Sequence, residues 1–245
     1  GRARRAACAV PVAAVTLDAA QRASECLLAF AFIQQALEHR RAAVDERLLH
    51  LPRILCACGL LAGIQPLACL LVLVVLACAA LWRFDGPYNG GSDRMGYLVL
   101  FALCVARAAP THYWREIALG YLAVQVVLSY AWSGWVKLVN PEWRRGSALV
   151  DVFLWSAYPV SDDVRAWRTH PRLLLAMAWA VLACELAFPL ALLNRTALLG
   201  ALALAASFHT ANAWLFGLNR FVWVWLASYP VLLWFQSRLH GVFGG

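Results

Sequence analysis

Residues 171–216 decide the fold class, and they read PRLLLAMAWAVLACELAFPLALLNRTALLGALALAASFHTANAWLF. Two long apolar runs, 171–193 and 195–216, are separated by a single polar turn at Asn194. A helix that crosses the hydrocarbon core of a bilayer needs about 20 mostly apolar residues. The runs are continuous rather than alternating with a period of two, which favours helices over barrel strands. This stretch therefore predicts two membrane-spanning helices.

Similar apolar runs cover most of the remaining chain. Of its 245 residues, 63% are hydrophobic and only 14% are charged, whereas ordinary soluble domains are about 45–50% apolar and about 25% charged. A polar turn at 84–93 separates two of the further runs. These runs lie at 21–38, 51–64, 67–83, 95–109, 117–139 and 219–238. Together they predict an all-α, polytopic integral membrane bundle of about eight transmembrane helices.

The segment 140–170 differs from the predicted spans because it is polar and rich in Trp. A helix over 147–158 could place four apolar side chains on one face, namely Val150, Phe153, Leu154 and Tyr158. Asp151 would then point elsewhere. One-sided helices of this kind are typical of the membrane interface. We therefore expect an interfacial loop and an amphipathic segment at 140–170.

The positions of the charged, cysteine and histidine residues indicate which kinds of partner the protein binds. The net charge is +8, and the basic residues stand in short loops between apolar runs, where they suit anionic lipid headgroups. This placement predicts the lipid bilayer as the partner and no nucleic acid. The eight cysteines fall mostly inside apolar runs, and no two histidines stand three or four residues apart. No disulfide framework and no metal site are therefore predicted.

Lys137 is the only lysine among 21 lysine and arginine residues. An arginine keeps its proton in proteins, whereas a desolvated lysine can release it. A lone lysine at a helix end therefore suggests a site that needs an amine. The structural alternative is a side chain that only reaches the membrane surface from the helix end.

Three neighbours of Lys137 strengthen the functional interpretation. Tyr130, Ser133 and Gly134 precede it by seven, four and three residues, so all four share one helix face. Two hydroxyls, a glycine that permits close approach and an amine resemble the wall of a pocket. We therefore predict Tyr130, Ser133 and Gly134 as substrate-binding residues.

Further polar residues lie inside predicted spans. A carboxylate at Glu185 must be paired, protonated or facing water, and an interhelical hydrogen bond is the structural alternative. His209 and Asn212 share one face of the next span. His209 is either a buried hydrogen-bonding residue or part of a proton relay with Lys137 and Glu185. Lys137, His209 and Glu185 are the predicted catalytic residues, and Asn212 is a predicted binding residue.

Several motifs resemble those of a known superfamily, the vitamin K-dependent γ-carboxylase-like or HTTM (horizontally transferred transmembrane) proteins. Its signature helix is similar to Tyr130-Ala131-Trp132-Ser133-Gly134-Trp135-Val136-Lys137-Leu138, followed by Trp143 and Gly146. Its second signature is similar to Ser207-Phe208-His209 with Asn212, Leu215, Phe216 and Phe221, followed by Leu226-Ala227-Ser228 and Pro230. Asn89-Gly90-Gly91-Ser92-Asp93 resembles a motif common in bacterial members, and Glu185 matches an acidic position. The resemblance covers 84–236 well and the first 80 residues only in hydropathy.

The resemblance implies a fold, a cofactor and an activity. It implies a single membrane domain over 1–245 in a bacterial inner (cell) membrane, crossed several times. The lysine that matches Lys137 deprotonates reduced vitamin K in the carboxylases, and oxygen chemistry then drives carboxylation of peptidyl glutamate. We therefore expect a lyase-type enzyme that uses a reduced quinone, whose apolar tail enters between helices from the lipid.

We expect the chain to depart from the carboxylases in having no counterpart of their large C-terminal luminal domain. The leading interpretation is a carboxylase-like membrane enzyme that modifies a peptide or small substrate with a quinol. The rival interpretation is a non-catalytic membrane factor for the maturation, immunity or transport of a secreted peptide, because a compact member of the superfamily is implicated in toxin maturation.

Overall fold

The computed structural model describes residues 15–38, 44–83, 90–155 and 161–243. Every regular element within these ranges is helical, which confirms the predicted all-α class. Two 3₁₀ segments, Ala166–Thr169 and Phe188–Leu193, continue α8 and α9. The α-helices are α1 (Leu17–Glu38), α2 (Val44–Ala62), α3 (Pro66–Arg83), α4 (Gly90–Ala108), α5 (His112–Val139), α6 (Pro141–Arg145), α7 (Ser147–Trp155), α8 (Asp162–Arg165), α9 (Pro171–Ala187), α10 (Arg195–Phe216), α11 (Asn219–Leu226) and α12 (Tyr229–Phe243).

Three helices in the described part of the chain are long and apolar enough to cross a membrane. They are α5 with 28 residues, Pro171–Leu193 with 23, and α10 with 22. At about 1.5 Å of rise per residue, each exceeds a hydrocarbon core of about 30 Å. Shorter apolar helices lie at Leu49–Ala62 and Pro66–Trp82. The predicted count of about eight spans is not confirmed.

The predicted span at 219–238 is divided into two helices. α11 ends at Leu226 and α12 begins at Tyr229. Proline has no backbone N–H and is favoured in the first turn of a helix, so Pro230 suits the start of a new helix. The hydroxyl of Ser228 donates to the Trp225 carbonyl at 2.7 Å, which satisfies an acceptor at the end of α11.

The predicted turn at 84–93 is also corrected in part. α4 begins at Gly90, so the last residues of this stretch are helical. Residues 84–89 lie outside the described ranges. Gly91 packs directly on α11, since a Cβ atom there would lie 2.7 Å from the Phe221 ring. This contact gives the glycine a packing role.

The described residues of the segment 140–170, namely 140–155 and 161–170, fold mainly as short helices, and α7 (Ser147–Trp155) lies within the expected amphipathic segment 147–158. Phe153 of α7 is buried against Leu174 of α9 and Leu215 and Phe216 of α10. Asp151 is exposed, as expected for an amphipathic helix, and Tyr158 lies outside the described residues. This small core fixes α7 against the ends of α9 and α10. Placement of α7 at the membrane interface stays a prediction.

The remaining helices form one larger core. α1 contacts α2, α4, α11 and α12, while α5 packs against α4, α9 and α12. Large apolar side chains also cover the outside of the bundle, including Leu51, Leu55, Val75, Leu193 and Trp214. Helices that are apolar inside and outside suit a lipid environment.

Candidate functional site

Gly134 lets α9 approach α5 closely at the centre of the site. A Cβ atom on Gly134 would lie 2.9 Å from the Leu186 backbone nitrogen and 3.1 Å from Glu185 Cβ. Only a residue without a side chain fits this contact. The close approach therefore brings the α9 residue Glu185 onto the polar face of α5.

Lys137 and Glu185 form a hydrogen-bonded ion pair across this contact. Lys137 Nζ lies 2.9 Å from Glu185 Oε1 and 2.7 Å from Oε2. Lys137 also donates to Ser133 Oγ, and the Ser133 hydroxyl donates to Glu185 Oε1 at 3.1 Å. The lysine and glutamate side chains are only 15% and 11% exposed. Such a pair is costly to desolvate and strongly held once formed.

Trp143 covers the other side of the lysine. The Nζ atom lies 5.2 Å from the centroid of the Trp143 ring, a distance at which the ring face attracts a cation. Trp143 stands on α6, whose first turn is capped by Asn140 Oδ1 accepting from the Glu142 backbone nitrogen at 2.9 Å. α6 thus places an aromatic lid on the end of α5.

A second cluster, one to two turns earlier along α5, joins α5 to α10, α11 and α12. The Tyr130 hydroxyl lies 3.0 Å from His209 Nε2 and 3.3 Å from the Tyr229 hydroxyl. His209 is 2% exposed, and its ring stacks on Trp225 with a centroid distance of 4.9 Å. His209 Nδ1 has no hydrogen-bond partner in the part of the chain that the structure describes. Tyr130 is therefore held by groups on both α10 and α12.

A cavity of about 760 Å³ touches both clusters. It lies between α9 with its 3₁₀ extension and α10, and eight of its lining residues are alanines. Glu185 and Tyr130 supply polar groups to this mostly apolar wall. Leu190 and Leu204 also line it and are 65% and 53% exposed. The mouth of the cavity therefore faces the surroundings of the bundle, which are lipid for a helix of this composition.

The structure unites some predicted site residues and separates others. Lys137, Ser133, Gly134 and Glu185 meet in one contact, and Tyr130 and His209 form the second cluster. The side-chain amide of Asn212 instead donates to the Phe208 carbonyl within α10, at 2.9 Å. No group of three or more His, Cys, Asp or Glu side chains that could hold a metal occurs among the described residues.

Sequence reasoning missed three residues of these clusters, namely Trp143, Tyr229 and the Trp225 ring that stacks on His209. Trp143 appears in the signature but carries no spacing signal that links it to the lysine. Tyr229 stands on a helix far along the chain, and only the packing of α12 against α5 brings it to Tyr130. The turn before Pro230 is the single local sign that a new helix begins there.

Residues 104–236, more than half of the chain, match the model of the HTTM domain. The chain belongs to the HTTM family. This membership and the three long apolar helices among the described residues are consistent with an integral membrane protein. Comparison with curated proteins gave no match, and comparison with solved structures gave none either. The matched range contains Lys137, Glu185 and His209 together with the helices that carry them.

Proposed function

We propose that this HTTM protein is a multi-pass enzyme of a bacterial inner membrane that takes a proton from a reduced quinone. This chemistry would resemble that of the vitamin K-dependent γ-carboxylases and would serve to modify a peptide or small substrate. The observation that carries the proposal is the Lys137–Glu185 pair at the side of a lipid-facing apolar cavity.

The cavity fits a reduced quinone in size and chemistry. Its volume of about 760 Å³ falls within the range of about 300–1,000 Å³ usual for small-molecule sites. The alanine-rich wall suits an apolar tail, and the exposed Leu190 and Leu204 lie where such a tail would enter. Glu185, Tyr130 and Ser207 are the residues of the lining with carboxyl or hydroxyl groups, and Glu185 and Tyr130 would orient the ring.

Each residue of the site has a distinct task in this proposal. A bound reduced quinone would supply acidic hydroxyl groups and reducing electrons. The Lys137–Glu185 pair acts as one proton-accepting unit, and Ser133 holds both partners in place. Tyr130, fixed by His209 and Tyr229, offers a hydroxyl to the ligand. The apolar walls exclude water, which strengthens each of these polar contacts.

Filling the cavity tests this proposal. Purified protein in lipid nanodiscs is assayed for oxygen-dependent oxidation of a reduced short-chain naphthoquinone. Ala201→Phe places a ring in the cavity and should lower kcat/KM at least tenfold, mainly through KM. Ala203→Phe, on the exposed face of the same helix, is the matched control and should match wild type. The absence of wild-type oxidation above protein-free nanodiscs, or equal rates for both variants, would reject the proposal.

A second candidate is a non-catalytic factor that acts in the maturation, immunity or transport of a secreted peptide. The observation that favours it is that the Lys137–Glu185 pair also fastens α5 to α9. A buried ion pair can often be replaced by apolar residues without loss of stability. If the pair only holds α5 and α9 together, the double variant Lys137→Leu/Glu185→Leu should replace the wild-type protein in the producing cell without loss of the secreted peptide. If the pair takes a proton, the double variant should fail to do so.

A further inference from the structure

The hydrogen-bonding capacity of Lys137 is fully used by its own chain. A lysine ammonium has three N–H donors and no acceptor. Lys137 Nζ donates to Ser133 Oγ and to both Glu185 oxygens, and the Trp143 ring covers its remaining side. Lys137 is absent from the lining of the cavity, whereas Glu185 belongs to it. A ligand in the cavity would therefore meet the carboxylate before the amine.

Glu185 has capacity left for a ligand. A carboxylate can accept about four hydrogen bonds, two on each oxygen. Oε1 accepts from Lys137 and Ser133, whereas Oε2 accepts from Lys137 alone among the described residues. One lone pair of Oε2 is thus not engaged by a donor of this part of the chain, on a side chain that borders the cavity.

We propose that Glu185 Oε2 is the atom that receives the hydroxyl of a ligand in the cavity. This inference rests on the proposed function and refines it. Lys137 then acts as a positioning residue that pairs with the carboxylate and holds it oriented. The sequence-based interpretation instead made Lys137 the base, and the two assignments predict different behaviour of Lys137→Arg.

The proton transfer is balanced within the site. Glu185 Oε2 first accepts a hydrogen bond from the ligand hydroxyl. The ligand O–H bond then breaks, its electron pair stays on the ligand oxygen, and a new O–H bond forms on the carboxyl group. The Lys137 ammonium, 2.7 Å from Oε2, keeps its charge and balances the negative charge left on the ligand.

The cavity selects the class of ligand. Its wall is dominated by alanine side chains, and its mouth is formed by exposed leucines. An amphiphile with a phenolic hydroxyl and an apolar tail fits, since the hydroxyl can reach Glu185 while the tail lies among the alanines. Reduced quinones belong to this class. Long-chain alkylphenols belong to it as well, but they have a single ring hydroxyl and therefore cannot be oxidised to a quinone in the way that a reduced quinone can.

Binding of 4-nonylphenol and its methyl ether tests the assignment without relying on turnover. Titration calorimetry uses the protein in nanodiscs, with empty nanodiscs subtracted. Wild type should prefer the phenol by about 10- to 100-fold, the ratio expected for a hydrogen bond to a charged group. Glu185→Gln should lose most of this preference, because it can no longer present a charged acceptor. Lys137→Arg, which keeps the positive charge, should retain it.

Two controls make the result decisive. Glu142→Gln removes an exposed carboxylate on α6 and should bind as wild type does. Glu185→Asp withdraws the carboxylate by one methylene and should lower the preference several-fold, which covers the case of a poorly folded Glu185→Gln. Preference kept by Glu185→Gln or Glu185→Asp, or lost in Lys137→Arg, would overturn the inference.

The outcome also separates this inference from the proposed function. A wild-type protein that prefers the phenol but does not oxidise reduced naphthoquinone would reject the enzyme and leave Glu185 as a ligand acceptor. A wild-type protein that oxidises reduced naphthoquinone without preferring the phenol would keep the enzyme and reject the role of Glu185.

Discussion

Two buried carboxylates in this protein, Glu25 on α1 and Glu185 on α9, are each paired with a cation but differ in what surrounds them. Glu25 has a fully buried side chain in the interior of the bundle. Glu185 lies at the edge of a cavity whose mouth opens beside exposed leucines. The same chemical pairing thus occurs in a closed environment and in an open one.

The Glu25 carboxylate is saturated by its own chain. Oε1 accepts from Arg107 Nε at 2.6 Å and Gln21 Nε2 at 3.2 Å. Oε2 accepts from Arg107 Nη2 at 2.8 Å and Arg22 Nη1 at 3.4 Å. Arg22 also donates to the Leu60 carbonyl at 2.6 Å, at the end of α2. All four acceptor positions are filled, and the network connects α1, α2 and α4.

The difference separates a structural role from a ligand-binding role. A saturated buried pair holds helices together and has no capacity for another molecule, whereas Glu185 keeps one acceptor position beside a cavity. The HTTM match starts at residue 104 and therefore includes Glu185 but not Glu25. Variants of the two carboxylates should consequently affect different measurements.

The largest expected effect is on turnover in Glu185→Gln. Loss of a proton acceptor typically lowers the rate by about 10²–10⁴-fold, and an amide cannot take up the ligand proton. The assay is oxidation of reduced naphthoquinone by protein in nanodiscs, across the full pH range in which the protein is folded. Activity retained with only a displaced pH profile would indicate that Glu185 merely orients Lys137.

The next largest effect is on the stability of Glu25→Gln. Breaking one partner of a buried ion pair typically costs about 3–5 kcal/mol, because Arg107 would keep its charge without a carboxylate. Thermal unfolding in detergent should show a marked drop in the midpoint. Asp18→Asn, an exposed carboxylate on the same helix, should change the midpoint little. Equal midpoints for Glu25→Gln and wild type would contradict the structural role.

Gly134→Ala should destabilise the protein by about 1–3 kcal/mol, the usual cost of overpacking. The added methyl group would stand 2.9 Å from the Leu186 backbone, so α9 must move away from α5. Gly200→Ala on α10 is the control, since nothing lies within 4 Å of its added methyl group. The unfolding midpoint of Gly200→Ala should stay level or rise. Equal decreases in the midpoints of Gly134→Ala and Gly200→Ala would contradict the close α5–α9 contact.

The smallest expected effect belongs to Trp143→Leu. Loss of a cation–π contact at a partly exposed site is worth about 0.5–1 kcal/mol, so the preference for 4-nonylphenol over its ether should fall about 2- to 5-fold. The exposed Trp155 on α7 provides the control variant Trp155→Leu, which should show no change. An unaltered preference in Trp143→Leu would show that the Trp143 ring does not contribute to ligand binding at this site.

The long apolar helices could be predicted from the sequence because their pattern is local. The expected runs at 171–193 and 195–216 coincide with the helical segments of the structure. The break at Ala227 and Ser228 was missed, since the apolar composition continues across it and only Pro230 marks the change. The count of about eight spans stays a prediction, and α1 shows why composition alone does not decide it: the helix is apolar enough to suggest a span but carries Glu25, whose side chain is buried and paired with Arg107.

The candidate site could be predicted only in part, for a different reason. Helical spacing placed Tyr130, Ser133, Gly134 and Lys137 on one face of α5, and their positions follow that spacing, but of the four only Tyr130 lines the cavity. Nothing in one sequence says that Glu185 faces Lys137 rather than His209, because contacts between helices depend on the packing of the whole bundle. The contact of Tyr229 with Tyr130 could not be predicted for the same reason, because it depends on the packing of α12 against α5.

The most direct test of the central difference is the shift in unfolding midpoint caused by saturating 4-nonylphenol. It is measured for wild type, Glu25→Gln and Glu185→Gln. Binding to the native state alone raises the midpoint. Wild type and the less stable Glu25→Gln should both be stabilised by similar amounts, whereas Glu185→Gln should gain little over its own ligand-free midpoint. Stabilisation lost in Glu25→Gln and kept in Glu185→Gln would contradict the account.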